Sequence, residues 1–304
     1  MSKLRRSAKM FRQSLSLQFL MLPGLIYFFV FCYIPMYGVI IAFKDYSIRL
    51  GIFGSPWVGL KHFVSFITNP YFGTILRNTV VLSLFSFAWS FWPPIVLALF
   101  LNEPMNGTYK KTVQTISYIP HFISTVAVCG VLLLILSPTN GLINNIIVAL
   151  GGKPIYFIIF PQYFRTIFIS SGIWQGIGFS AIIYLAALSS VDQDMYEAAT
   201  IFGATRLQKM RYISIPSIMP TIVILLILSF GNILSVNTEK VILLYQPTTY
   251  SVSDVIGSYI YRLGLLDSRF SFSAAVGLFN NVINVMLVVF ANSLARRFTE
   301  TSLW

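Results

Sequence analysis

Tyr196-Glu197-Ala198-Ala199-Thr200-Ile201-Phe202-Gly203-Ala204, followed by Ile213-Ser214-Ile215-Pro216, is a polar, charge-bearing island between two long apolar runs. The runs, 166–191 and 212–238, contain no Asp, Glu, Lys or Arg. A helix rises about 1.5 Å per residue, so roughly 20 residues cross a hydrocarbon core of ~30 Å, and each run is long enough. Outward from the island, four more charge-free windows appear, at 13–43, 78–102, 112–152 and 270–295. The composition agrees: 56% of residues are hydrophobic and 10% charged, with a mean hydropathy of +0.77. These values exclude an ordinary soluble globular domain.

The window 112–152 is broken by Ser137-Pro138-Thr139-Asn140-Gly141 after about one span. Its remainder, 142–164, reads as a short interfacial helix plus loop, with a seventh span as the less favoured option. The expectation is an all-α integral membrane domain over 17–294, with helices at about 17–43, 77–101, 116–137, 165–190, 217–238 and 272–294. Tails at 1–16 and 295–304 flank it, and no soluble domain is attached. Lys3, Arg5, Arg6, Lys9 and Arg12 precede the first span, which puts the N-terminus in the cytoplasm, and six crossings return Arg296 and Arg297 to the same side. On this layout the inner segments carry Lys and Arg at roughly twice the density of the outer ones. The net charge of +12 is then explained by an anionic membrane surface, without a nucleic acid. The first window is too long for a signal-peptide core and is expected to remain as an anchor. Cys32 and Cys129 fall inside spans and read as small apolar packing residues.

Within the island, 191–216, Asp194 and Glu197 have the spacing of a capping box, with Asp194 as N-cap. Both acids suit the positive end of a helix dipole. A short helix is expected from Tyr196 to Phe202, ended by Gly203 because the turn needs a residue tolerant of positive φ. Ala204 to Tyr212 is expected to form a second helix, after which Pro216 sets the chain for its return into the membrane. Ala198 and Ala199 would let the first helix approach a partner surface closely.

This pattern resembles the Glu-Ala-Ala loop of binding-protein-dependent ABC importer permeases: Glu-Ala-Ala, three residues, Gly, nine residues, then Ile-x-Leu-Pro. Glu197, Ala198, Ala199, Gly203, Ile213 and Pro216 match at that spacing, with Ile215 replacing Leu. Leu22-Pro23-Gly24, Tyr33-Ile34-Pro35-Met36-Tyr37-Gly38, Gly54-Ser55-Pro56-Trp57-Val58-Gly59-Leu60, Tyr118-Ile119-Pro120-His121-Phe122 and Thr301-Ser302-Leu303-Trp304 are similar to the LplB-like oligosaccharide branch of the maltose-type superfamily. The resemblance implies a type I importer permease fold in a bacterial cell membrane, commonly Gram-positive. It implies a heterodimer with a second homologous permease, two cytoplasmic ATPase subunits that bind ATP and Mg, and an extracellular solute-binding lipoprotein. The substrate would be an oligosaccharide. Glu197, Ala198, Ala199, Gly203, Ala204, Ile213 and Pro216 would contact the ATPase.

Polar residues inside a span are costly and usually face protein or water. In the fifth span Ser229, Asn232, Ser235 and Glu239 fall on one helical face, with Asn237 off it, and could line a substrate path. Helix–helix packing is the alternative for the serines. Trp174 and Gln175, near Gly178, and Asn281 and Asn284, beside Asn280, are further path candidates. His121 is placed near the cytoplasmic boundary and His62 on the opposite side. No catalytic or metal-binding constellation appears, and the phosphate-cradling G-x-x-x-x-G-K-[ST] loop is absent from the sequence. The chain is therefore expected to need no cofactor of its own, with ATP hydrolysed elsewhere. Two rivals are an ion-coupled transporter acting alone, which usually needs an acid or base deep in the membrane, and an ABC permease for a non-sugar solute.

Overall fold

The computed structural model describes residues 15–103, 107–231 and 236–298. The principal helices are α1 (Gln18–Phe43), α2 (Lys61–Ile67), α3 (Phe72–Asn102), α4 (Gly107–Tyr118), α5 (Thr125–Ile135) and α6 (Leu142–Ala149). They are followed by α7 (Pro161–Ser189), α8 (Gln193–Ile201), α9 (Arg206–Phe230), α10 (Thr238–Leu244), α11 (Ile256–Tyr261) and α12 (Phe270–Phe298). Among the described residues there is no β-strand, only an isolated bridge between Lys44 and Trp57. Among the described residues five helices are long and apolar enough to cross a membrane, or six if the bent pair around 107–135 counts as one span.

The chain divides into two compact units. The smaller holds α1, α2 and residues 263–278. Only 6% of the most apolar window of α1 is buried, so its surface needs an apolar surrounding such as lipid. Just outside it, the Phe43 ring stacks on Trp57 with centroids 5.8 Å apart, and Lys44 Nζ donates to the Ile52 carbonyl at 2.7 Å. The Tyr46 amide donates to Ser271 Oγ at 2.8 Å. The turn-rich first outer connection is thus an ordered element.

In the larger unit, α3 and α7 pack along each other and against α9. Phe91, Ile95, Ala98 and Leu99 meet Ala181, Tyr184, Leu188, Ile218 and Ile222 in one core cluster. A second cluster joins Leu82, Cys129, Phe164 and Phe168 to Val241, Leu244 and Val255. Gly178 is required where α4 crosses α7, because a Cβ there would stand 2.0 Å from the Ser117 carbonyl oxygen.

Three expectations are corrected. The third span is not one helix over 116–137. Its first part begins at Gly107 and ends around Pro120, and α5 starts afresh at Thr125 with a bend of 101°. The chain tightens into a 3-10 turn over Ile119–Phe122, Ile123 and Ser124 are extended, and Ser124 Oγ caps α5 by accepting from the Ala127 amide. Second, the helix after Gly203 does not stop at Tyr212. It runs through Pro216 to Phe230. A π-turn over Met210–Ser214, with the Ile215 amide donating to the Met210 carbonyl, adjusts the helix just before the residue that has no N–H to give. Third, the outer connection 239–271 is folded rather than a loop. Asn78 Nδ2 donates to the Asp254 carbonyl at 3.2 Å, and Thr79 Oγ1 accepts from the Ile256 amide at 2.9 Å. The Asp254 carboxylate accepts from Ser258 Oγ and pairs with Arg262 at 2.5 Å. In the remainder 142–164 the eight-residue α6 is about 12 Å long and too short to cross, and a 3-10 turn at Phe157–Ile159 leads into α7.

Candidate functional site

Two places in the larger unit combine shape with chemistry. The first is the island. Asp192, not Asp194, is the N-cap of α8: its backbone is extended and Oδ1 accepts from the Asp194 amide at 3.0 Å. Asp194 therefore sits in the first turn, and Glu197, one turn further along, is exposed rather than folded back. At the other end Gly203 adopts φ +74°, donates to the Thr200 carbonyl at 3.0 Å, and lets Ala204 donate to the Ala199 carbonyl at 2.9 Å. These two bonds form a Schellman cap. Thr205 then opens α9 through a reciprocal capping box with Gln208.

The knob so formed is tied to α9. The Tyr196 hydroxyl bonds to Ser214 Oγ at 2.9 Å and Lys209 Nζ donates to Thr200 Oγ1 at 3.1 Å. Ile201 is 84% exposed and Phe202 90%, which leaves two large apolar side chains at the tip that nothing among the described residues buries. Glu197, Ala198, Ala199, Gly203 and Ala204 are brought together on this knob, whereas Ile213 is half-buried within α9 and Pro216 exposed a little further on.

The second place is a cavity of about 530 Å³ where the third span breaks. Gln175 sits at the midpoint of the 29-residue α7, roughly 21 Å from each end, and its Nε2 donates to the Ile123 carbonyl at 3.0 Å. The His121 ring lies face to face with Phe179, centroids 3.9 Å apart. His121 therefore lies beside the middle of the fourth span, not at the cytoplasmic boundary where the charge pattern puts it. Ser86, Ser90, His121, Ser124, Thr125, Gln175, Asn237 and Lys240 supply polar groups to the cavity wall, with Phe122 and Phe168 among its apolar members. Helix geometry leaves the first amides of α5 without intrahelical acceptors, and its cap Ser124 and first residue Thr125 line the same end of the wall. Lys240 is 2% exposed. Its Nζ donates to the Phe168 carbonyl at 3.0 Å and stands 5.1 Å from the Phe168 ring centroid.

The path residues expected from the sequence separate. Gln175 lines this cavity, and Trp174 beside it is half exposed on α7. Ser229 lines a neighbouring cavity of about 320 Å³ with Ser90, Phe179 and Ser180, its hydroxyl donating to the Leu225 carbonyl. Asn232 and Ser235 lie outside the described residues. Glu239 does not continue the face of Ser229. Val236 and Asn237 are non-helical, so the 100° register is lost, and Glu239 lies exposed in the first turn of α10. Asn281 is exposed and Asn284, three residues on, is buried. Asn237, which falls off the predicted stripe, lines the cavity and caps α10 by accepting from the Lys240 amide at 3.0 Å. Lys240 also escapes the pattern. It stands just past the charge-free window, where a basic residue reads as an outer flank.

Residues 79–300 match the family described as binding-protein-dependent transport system inner membrane component. The chain is 46% identical over 288 residues to the polygalacturonan/rhamnogalacturonan transport system permease protein YteP of Bacillus subtilis, covering 95% of this chain and 90% of that one. It is 41% identical to Protein LplB of the same organism, covering 95% and 91%. Among solved structures, a bacterial alginate ABC transporter in complex with an alginate pentasaccharide-bound periplasmic protein matches with a TM-score of 0.89 at 43% identity, covering 97% of this chain and 99% of that one. The apolar spans, the broken third helix and the capped island thus belong to a multi-pass permease, and the chain is a member of the binding-protein-dependent transport system inner membrane component family.

Proposed function

We propose that this chain is one of two permease subunits of an ATP-driven importer that carries oligosaccharide fragments of polysaccharides across a Gram-positive cell membrane. The observation that carries the reading is the polar cavity at half depth beside a broken span. Transporter sites are commonly built where a span is discontinuous, because freed backbone groups and inward-facing polar side chains can then meet a solute away from lipid. Its volume is within the roughly 300–1,000 Å³ of small-molecule sites. Hydroxyl, amide and imidazole groups that both donate and accept suit sugar hydroxyls. Support for a saccharide cargo comes from YteP and the alginate transporter, whose descriptions name polysaccharides.

The α8 knob is the element that a separate ATPase grips. Its apolar tip, Ile201 and Phe202, needs a partner to cover it, and the Schellman cap and the Tyr196–Ser214 bond fix its direction relative to α9. Closure of two ATP-loaded ATPases would displace α8, and α9 would pass that displacement to the spans as a shift between inward-open and outward-open populations. An extracellular binding protein delivers the sugar and a second permease completes the path. Reconstitution of the two permeases and the ATPase in proteoliposomes, with the binding protein supplied, should give saccharide uptake that requires ATP. Uptake by this chain alone without ATP, or ATPases that do not contact residues 193–204, would replace this reading with an ion-coupled one.

A further inference from the structure

We infer that Lys240 is the counter-charge for a substrate carboxylate, so that the half-depth cavity selects acidic, uronate-containing oligosaccharides; this rests on the importer reading above. Lys240 is 2% exposed, and its ammonium group donates to a backbone carbonyl, lies over a phenylalanine ring and stands near the Cys129 thiol. Among the described residues no carboxylate lies within ion-pairing distance of it, although Glu239 is its neighbour in sequence. A buried ammonium without a carboxylate is costly, and a packing role alone would be served at lower cost by a methionine or leucine. The charge is useful if an anion arrives. A carboxylate in the cavity would meet Lys240 together with the positive end of the eleven-residue α5, whose capping Ser124 and first residue Thr125 line the same wall. Asn237, Gln175 and Ser90 remain for the ring hydroxyls. A neutral sugar would bring the lysine no counter-charge.

The test uses the complete importer in proteoliposomes, with trigalacturonate and its methyl ester as probes. The ester keeps the sugar ring but loses the charge. Each probe is supplied on saturating binding protein, whose own affinity for it is measured separately. Wild type should favour the acid. Lys240→Met should reduce acid uptake by roughly tenfold or more while changing ester uptake by less than about twofold, and Lys240→Arg should retain the preference. Asn237→Asp is a second variant that does not depend on tolerating the loss of the lysine. Aspartate caps a helix as well as asparagine, yet it places a carboxylate beside Lys240, so acid uptake should fall selectively. Equal losses for acid and ester in Lys240→Met, or unchanged acid preference in both Lys240→Met and Asn237→Asp, would overturn the inference. Wild-type uptake confined to neutral oligosaccharides would overturn it while leaving the importer intact, whereas no ATP-dependent uptake of any saccharide would remove the importer reading first.

Discussion

Replacing Gly203 isolates the geometry of the α8 knob, proposed above as the coupling element, from its contacts. Gly203 has φ +74°, and a Cβ built on it meets nothing within 4 Å, so a substitution is opposed by backbone conformation and not by a clash. The left-handed region costs an ordinary L-residue about 1–2 kcal/mol, asparagine less, and a β-branched residue more. A cost of ~1–2 kcal/mol multiplies the occupancy of a competing, uncapped turn about 5- to 30-fold. In that turn the Ala204–Ala199 bond is lost and the Ile201–Phe202 tip points elsewhere. In the order Gly203→Asn, Gly203→Ala, Gly203→Val, ATPase affinity for the purified permease pair and substrate-stimulated ATP hydrolysis should fall progressively. Asn should be within a fewfold of wild type, Ala about 5- to 30-fold down, and Val lowest. Membrane insertion should be equal throughout, because the turn lies outside every span. Valine that couples as well as asparagine would show that the left-handed turn does not set the knob, and the reasoning would fail.

Two further substitutions probe the scaffold. Gly178→Ala puts a methyl group against the Ser117 carbonyl, so α4 must move off α7; a loss of about 1–3 kcal/mol is expected, read as a lower midpoint in detergent thermal unfolding. An unchanged midpoint would show that the crossing is looser than it looks. Asp254→Ala strands Arg262 in a largely buried site, where breaking a buried pair costs about 3–5 kcal/mol. The double variant Asp254→Ala, Arg262→Met should recover much of that, and a double variant as unstable as the single would contradict the pairing argument.

The spans were readable because lipid imposes one simple demand: every stretch that crosses must be apolar for about 20 residues, and charge-free windows report that directly. Gly203 was equally readable, since a left-handed turn after an alanine-rich helix is a local requirement that glycine meets. Local signals failed where two of them compete. Asp192 and Asp194 are both plausible caps, and only the backbone geometry chooses Asp192. Pro216 reads as a helix boundary, but a π-turn four residues earlier lets α9 continue through it.

The half-depth cavity lies beyond local patterning altogether. His121, Gln175, Asn237 and Lys240 come from four separate stretches, and no spacing within any one of them announces a shared cavity. Ser229 and Glu239 have helical spacing, but the helix between them does not continue. By itself the chain's order of apolar and charged residues determined where its apolar spans run and where it offers a polar knob between two of them. Tertiary packing decided that the third crossing breaks at mid-depth and that a buried lysine, with no carboxylate partner among the described residues, lies beside the break. The first set of properties depends on each residue's preference for water or lipid; the second depends on which distant residues fill the same space.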